Sequence, residues 1–218
     1  MLSAITRLLQ TLIYFETLPL IRWITRMFFG ATPPPPPPSP QANVLFDFTQ
    51  PNDALAQTWG ALDDVVMGGV SASSFQLQEG GARFSGVVST ANSGGFASVR
   101  SRNFTPPLDL SRYTGLRLQV KGDGQRYKLL LRDSTSWDSL AYAFSFDTTA
   151  DQWITIQVPF AETVPVFRAK TQPTAPPLNR AQISSIQLML SKFEYDGALN
   201  PHFTPGEFRL LLKTIQVY

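Results

Sequence analysis

The chain contains no cysteine and only one histidine, His202, in 218 residues. Without cysteine it cannot form disulfides, offer a thiolate nucleophile or bind zinc through thiolates, and this composition fits a reducing compartment. A single histidine excludes metal sites built from several histidines. It also lies between two prolines in "LNPHFTPGE", a context typical of a surface loop.

Charge is also scarce. Charged residues make up 16% of the chain and the net charge is +2, too little to indicate a nucleic-acid partner. No segment matches GxGxxG or GxxxxGK in a strand-to-helix setting, and no GxSxG nucleophile signature is present. We therefore expect a non-enzymatic protein with no catalytic residue, no cofactor and no resident metal. The open alternative is that loop aspartates, which more often cap turns, hold a structural Ca²⁺.

The composition that remains is typical of strands and turns. Apolar residues reach 43%, with 16 Phe and 18 Pro, enough for one folded core. The clearest pattern is "GLRLQV" followed by "KGDG" and "YKLLLR", in which apolar and polar residues alternate around a turn, so we predict a hairpin. Roughly nine or ten such strands, with no convincing helix among them, predict an all-β jelly-roll β-sandwich over residues 44–218.

Residues 1–30 are apolar but interrupted by charges and by Pro19, so they lack the roughly 20 uninterrupted apolar residues of a membrane span. Helical spacing places Leu2, Ile5 and Leu9 on one face, opposite Arg7. We predict an amphipathic helix in a membrane interface, with the arginines facing lipid headgroups. A cleaved targeting peptide, a short tilted span and a helix docked on a partner protein stay open.

Residues 31–43 contain six consecutive prolines, which predict a stiff polyproline II linker between residues 1–30 and the sandwich. The alternative is that this proline run is a ligand for an aromatic-lined groove of another protein.

The expected location of the protein is peripheral on a membrane that faces a reducing compartment, such as a bacterial cytoplasm or an organelle interior. The alternative is the mitochondrial matrix after removal of a targeting peptide.

Two glycine-containing signatures carry the strongest site prediction: "DDVVMGGVSAS" at residues 63–73 and "GGFASVR" at residues 94–100. Paired glycines permit positive φ or a close backbone approach, and the two aspartates can accept hydrogen bonds from backbone N–H groups or pair with an arginine such as Arg100. One interpretation is a buried clasp between the signatures, and the other is a pocket for a ligand or partner. The candidate residues are Asp63, Asp64, Met67, Gly68, Gly69, Ser71, Gly94, Gly95, Phe96 and Arg100.

A second candidate site uses aromatic rings. Trp137 and Tyr142 lie close together in "STSWDSLAYAF", and β-sandwiches can bind sugars on exposed rings. The competing interpretation is that both are ordinary core or edge aromatics. A carbohydrate-binding module is therefore the alternative function.

The signatures, together with "LDLSRYTGLRLQVKGDGQRYKLLLR", "WITIQVPF" and "GEFRLLLKTI", resemble the complex I intermediate-associated protein 30 family over residues 44–218. The resemblance implies a galactose-binding-type jelly roll. It also implies an assembly factor or chaperone for a respiratory or photosynthetic complex of the NADH:quinone oxidoreductase type. Its partners would be subunits or assembly intermediates, with the membrane surface contacted through residues 1–30 and no nucleic acid. In one departure, Ala169 follows Arg168 where the family tends to have glycine.

Overall fold

Thirteen short strands and two helices make up the part of the chain that the computed structural model describes, residues 4–15, 37–38 and 43–218. The helices are α1 (Ala4–Tyr14) and α2 (Asp53–Thr58). The strands are β1 (Val44–Asp47), β2 (Trp59–Ala61), β3 (Ala72–Gln78), β4 (Gly81–Val88), β5 (Phe96–Ser101), β6 (Gly115–Lys121), β7 (Arg126–Arg132), β8 (Ala141–Asp147), β9 (Trp153–Pro159), β10 (Val164–Phe167), β11 (Lys170–Thr171), β12 (Ser185–Ser191) and β13 (Gly206–Val217).

The strands form two antiparallel sheets that pack face to face as a β-sandwich. The first has the order β3-β4-β13-β6-β9, with β1 also paired to β13, and the second has the order β11-β10-β8-β7-β12-β5-β2. Alternate side chains point to opposite faces of a strand, so Ile186, Leu188 and Leu190 of β12 enter the core while Ser185 and Gln187 face outward. The predicted jelly-roll-type sandwich is confirmed.

The interior between the sheets is almost entirely apolar and rich in aromatic rings. At one end Phe46, Phe48, Trp59 and Phe75 form a chain of ring contacts, with centroids 5.2–6.0 Å apart. Such ring pairs add to the hydrophobic stabilisation that comes from burial alone. This cluster anchors β2, which leads directly into the first signature.

The strand predictions are largely confirmed, but the hairpin predicted around "KGDG" is wrong. Strand β6 belongs to the first sheet and pairs with β9 and β13, whereas β7 belongs to the second sheet and pairs with β8 and β12. The turn therefore carries the chain across the sandwich. Alternation reports only which side faces the core, and both strands face the same core from opposite sheets.

Two further regions contain secondary structure that was not predicted. Helix α2 begins at the N-cap Asn52, whose side chain accepts a hydrogen bond from the Leu55 N–H at 2.9 Å. Its six residues are too few to show a helical period. The proline- and threonine-rich segment after β9 contains the short strands β10 and β11, which pair with each other and, through β10, with β8.

Helix α1 is the first part of the helix predicted over residues 1–30. Its polar face contacts the sandwich. Arg7 donates hydrogen bonds to the carbonyls of Ser71 (2.5 Å) and Val70 (3.3 Å), so it does not face headgroups as predicted. Tyr14 donates to the Gln57 carbonyl at 2.7 Å, and the Arg102 guanidinium lies 4.1 Å from its ring centroid. The predictions for residues 1–3, which include Leu2, and for residues 16–30 lie outside the described residues, as do those for all of the linker except Pro37, Pro38 and Asn43.

The docked helix leaves an apolar stripe facing outward. Three apolar side chains spaced about one helical turn apart are exposed, Ile5 by 71%, Leu9 by 50% and Ile13 by 48%, whereas Thr11 is buried. Within residues 4–15, 37–38 and 43–218, none of the helices has the length and apolarity needed to cross a membrane.

The contact between α1 and β2 provides a test of this docking. A β-carbon at Gly60 would lie 2.6 Å from Cδ1 of Tyr14, so Gly60→Ala should push the helix off. An isolated helix of this length is marginal in water, and we expect the backbone amides of residues 4–15 to lose protection against hydrogen exchange. The unfolding free energy of the sandwich should change by less than about 1 kcal/mol. Tyr14→Ala should reduce the protection of residues 4–15 in the same way. Undiminished protection in both variants would show that α1 is held by other contacts.

Candidate functional site

The carboxylate of Asp64 is the centre of the first signature. Asp64 is fully buried, and its oxygens accept hydrogen bonds from the Ser71 N–H (2.9 Å), the Ser71 hydroxyl (2.7 Å) and the backbone N–H groups of Gly95 (2.7 Å) and Phe96 (3.2 Å). Two of these donors lie more than thirty residues away in the second signature. One side chain therefore ties the two signatures together.

Asp63 makes a parallel set of contacts one residue earlier. It accepts hydrogen bonds from the Ser73 N–H (2.7 Å), the Ser73 hydroxyl (2.6 Å) and the Ser98 N–H (3.0 Å). Burial raises the pKa of Asp63, the hydrogen bonds from Ser73 and Ser98 oppose that rise, and the charge of Asp64 adds to it. Asp63, Asp64 and the groups that donate to them are called the acidic clasp below.

Two of the four glycines in the signatures are explained by contact with the acidic clasp, and the other two by their backbone conformation. Gly68 has φ +91°, the left-handed region that glycine enters without strain, and it ends the 3₁₀ turn Asp64–Met67. A β-carbon at Gly69 would overlap the Asp64 carboxylate, and one at Gly94 would lie 2.5 Å from Oδ2 of Asp64. Gly95 has φ +140°. The side chain of Asp64 fills the space that Gly69 and Gly94 leave open.

The clasp interpretation thus accounts for most of the predicted site residues, but not for Arg100. Neither aspartate forms an ion pair with Arg100 among the described residues. Arg100 instead points to the outer face of the second sheet, where it donates to Ser185 and Asn103. The suggested pairing of the clasp aspartates with this arginine is wrong because backbone N–H groups and serine hydroxyls already occupy their oxygens.

Two predicted residues of the first signature, Met67 and Gly68, face solvent. Met67, at the end of the 3₁₀ turn, is 74% exposed, and Val70 next to the Arg7 contact is also exposed. The turn packs against α1. The signature therefore has a buried polar part, which is structural, and an exposed apolar edge beside α1.

The aromatic pair is separated by the structure. Tyr142 points into the core, is buried, and donates to the Pro176 carbonyl at 2.9 Å. Trp137 is 38% exposed, and its ring lies 5.7 Å from that of Phe15. The two do not form one sugar-binding surface, since the alternation of β8 directs Tyr142 inward.

The outer face of the second sheet carries cations that the sequence interpretation missed. Lys128 and Arg132 of β7 lie on the same face as Arg100 of β5, separated from it by β12. The signal was present in "YKLLLR", where polar residues occupy every second position except for Leu130. The pattern identifies the outward face but does not show that this face is buried.

Lys128 is held in an apolar and carbonyl-rich setting. Its ammonium donates to the carbonyls of Phe193 and Glu194 and lies 4.9 Å from the ring centroid of Tyr195. Burial lowers the pKa of Lys128 to about 8, although the nearby Glu194 carboxylate, 3.9 Å away, opposes that change.

The lowered pKa of Lys128 predicts a pH dependence of stability. Between pH 8 and 10.5 the unfolded chain keeps a proton on Lys128 that the folded chain has lost, so stability should rise with pH in this window. We expect the wild type to gain roughly 1–3 kcal/mol over Lys128→Met between about pH 7 and 10.5. Urea unfolding of both proteins measures this difference. A difference that is constant across the window would contradict the assignment.

The loop in which the sequence departs from the family pattern is strained. Arg168 and Ala169 have φ values of +49° and +61°, a region that favours glycine. Arg168 forms an exposed ion pair with Asp138 at 2.5 Å. The glycine expected from the family would adopt this turn without strain.

His202 lies on the surface as predicted, with Nδ1 2.8 Å from Oδ1 of Asp147. The described part of the chain contains no group of three or more His, Cys, Asp or Glu side chains that could hold a metal ion.

Comparison with protein families gives a match to the family "Complex I intermediate-associated protein 30" over residues 46–212. This range contains both signatures and nearly all of the sandwich. A search of curated protein sequences finds no significant match.

Several solved structures are similar in fold. A family 11 carbohydrate-binding module from Clostridium thermocellum, in complex with a β-1,3-1,4-mixed-linked tetrasaccharide, aligns with TM-score 0.56 and 19% identity, covering 80% of this chain and 94% of the module. The family 11 module of the cellulase Lic26A-Cel5E of the same organism aligns with TM-score 0.56 and 18% identity, covering 80% and 92%. The agarase AgWH50C aligns with TM-score 0.51 and 11% identity, covering 80% of this chain and 24% of the agarase. At these identities the likeness concerns the fold alone.

Proposed function

Because the chain belongs to the complex I intermediate-associated protein 30 family, we propose that it is a non-enzymatic assembly factor that binds subunits or intermediates of a membrane electron-transport complex. The observation that carries the proposal is the family match over residues 46–212, which includes the two signatures that build the acidic clasp. A rigid sandwich with a buried polar clasp provides a fixed platform for protein binding.

We further propose that the protein is peripheral on a membrane. Helix α1 uses Arg7, Thr11 and Tyr14 on the sandwich side and presents the stripe of Ile5, Leu9 and Ile13 outward. An exposed apolar stripe on an amphipathic helix is the surface that enters the headgroup boundary of a bilayer. The platform would then lie close to membrane-bound subunits.

The membrane proposal is tested by flotation with vesicles of zwitterionic and anionic phospholipids. The full chain should float with the vesicles, and a chain lacking residues 1–42 should not. Replacing Ile5, Leu9 and Ile13 with serine should weaken binding without undocking α1, because these side chains face away from the sandwich. Gln10→Ser is the matched control on an exposed polar position. Equal flotation of the full and shortened chains would refute the proposal.

The assembly role is tested by removing the protein from its host. Accumulation of the assembled complex should fall, and assembly intermediates should persist, while the chain lacking residues 1–42 should restore assembly only in part. Unchanged complex levels without the protein would count against an assembly role.

A carbohydrate-binding module is the second candidate, favoured by the likeness in fold and by the exposed ring of Trp137. Calorimetric titration with mixed-linked glucan oligosaccharides decides it, with Trp137→Ala as the control. Absence of binding at millimolar sugar would remove this candidate.

A further inference from the structure

Two arginines from different strands come together on the outer face of the second sheet. Gln187 of β12 lies directly opposite Arg100 of β5, and Ser185 of β12 lies directly opposite Arg132 of β7. Side chains at opposite positions of paired strands share one face, so both guanidinium groups lie over β12. They are close enough that the charge of Arg132 lowers the pKa of Arg100, in addition to the larger effect of burial.

Arg100 is positively charged and only 2% exposed, yet its partners are neutral. Its Nε donates to the Ser185 hydroxyl at 3.2 Å and its Nη2 to the Asn103 side-chain oxygen at 2.9 Å. No carboxylate of the described residues forms an ion pair with it. Arginine stays protonated even when burial disfavours its charge, and a buried charge without a counter-charge is costly.

Arg132 is partly exposed and is also without an ionic partner among the described residues. Its Nη1 donates to Oε1 of Gln187 at 2.7 Å, whereas its buried Nε has no hydrogen-bond partner. Burial lowers the pKa of Arg132, and the nearby Asp138 opposes that change, but the Asp138 carboxylate is itself bonded to Arg168 at 2.5 Å.

The arrangement around these arginines is fixed by the acidic clasp. Nε2 of Gln187 donates to the Ser98 hydroxyl at 2.9 Å, and the backbone N–H of Ser98 donates to Asp63. This orientation turns Oε1 of Gln187 towards Arg132, so the guanidinium is held in place before any ligand arrives. Donors that are already oriented lower the entropic cost of binding.

Aromatic rings border the pair. The guanidinium carbon of Arg100 lies 5.5 Å from the Trp137 ring centroid and 5.9 Å from that of Phe15. Rings at this position exclude water from Arg100 and lower the screening of its charge. The exposed part of Trp137 is available to the apolar portion of a ligand that carries the anion.

We propose that Arg132, with the buried charge of Arg100 behind it, forms a carboxylate-binding site, and that its occupant is an acidic side chain of the protein partner. The source of the carboxylate rests on the proposed function, whereas its chemistry rests on the two arginines alone. A planar carboxylate offers two acceptor oxygens and a negative charge, which suit a pair of guanidinium groups that have no ionic partner among the described residues. The site lies on the sheet face next to the clasp rather than inside it.

The test is a titration of the full chain with N-acetylglutamate amide, followed through the side-chain Nε–H NMR signal of Arg132. We expect a saturable shift in the millimolar range and none with N-acetylglutamine amide, which has the same shape without the charge. Glucuronate is the third probe. Absence of saturable binding by any carboxylate would overturn the site, and binding of glucuronate alone would overturn a protein source.

Variants of Arg132 distinguish an effect on ligand binding from an effect on folding stability. Because Arg132 is partly exposed, Arg132→Gln should fold normally, as judged by its unfolding midpoint, and bind N-acetylglutamate amide at least about tenfold more weakly. Arg132→Lys, which keeps the charge but loses the planar fork, should fall between the two. Equal affinity of Arg132→Gln and wild type would overturn the proposal.

Partner capture distinguishes this inference from the proposed function. If wild type and Arg132→Gln capture the same complex subunits equally, the carboxylate site is wrong while the assembly role stands. If the wild type captures no complex subunit but binds the glutamate probe, the chemistry of the site stands, whereas the assembly role and the partner as the source of the carboxylate fail.

Discussion

Asp64→Ala is expected to lower the free energy of unfolding by about 4 kcal/mol or more, at the high end for single substitutions. The carboxylate accepts four hydrogen bonds in a fully buried position. Its removal would leave the backbone N–H groups of Ser71, Gly95 and Phe96 without this acceptor, and each unmet buried donor carries its own desolvation cost. The link between the two signatures would be lost together with these bonds.

Urea unfolding measures this effect as a shift of the midpoint at an unchanged slope. Glu207→Ala, which removes an exposed carboxylate from β13, is the matched control and should change stability by less than about 0.5 kcal/mol. If Asp64→Ala were as stable as this control yet lost its partner, the first signature would be an interaction site and not a structural clasp.

Gly69→Ala is expected to cost about 3 kcal/mol, and Gly69→Val more. The added β-carbon would overlap the Asp64 carboxylate, which cannot move aside without breaking its hydrogen bonds. Gly80→Ala is the control. Gly80 has φ +77° but open space around it, so this variant should pay only the smaller cost of backbone strain.

A double-mutant cycle makes the cause of the Gly69 effect specific. In the Asp64→Ala background the clash disappears, so Gly69→Ala should then cost little, and the two substitutions should be strongly non-additive. Additive costs would show that Gly69 is required for another reason.

The strand positions could be predicted from the sequence because alternation and turn residues report local geometry directly. What alternation could not report was the sheet to which each strand belongs, as the turn between β6 and β7 shows. Sheet membership depends on non-local pairing, and nothing in the segment "KGDG" distinguishes a hairpin from a crossing between sheets.

The sequence indicated which residues build the site better than it indicated how they contact one another. Paired glycines beside aspartates indicated a constrained backbone, and Gly69 and Gly94 do border one carboxylate. The role of Arg100 was wrong because an arginine in the second signature suggested an ion pair, while the backbone N–H groups of Gly95 and Phe96 provide the donors. Every residue except proline has a backbone N–H donor, so residue identity does not show which backbone groups donate to a carboxylate.

We propose that this member of the complex I intermediate-associated protein 30 family acts by binding intermediates of one membrane electron-transport complex. The most direct measurement is quantitative mass spectrometry of the proteins that copurify with the tagged full chain from gently solubilised membranes, against a tagged unrelated β-sandwich. We expect several subunits of a single complex to be enriched, with the late subunits of that complex missing. Recovery of no such subunits, or only of the mature complex, would contradict it.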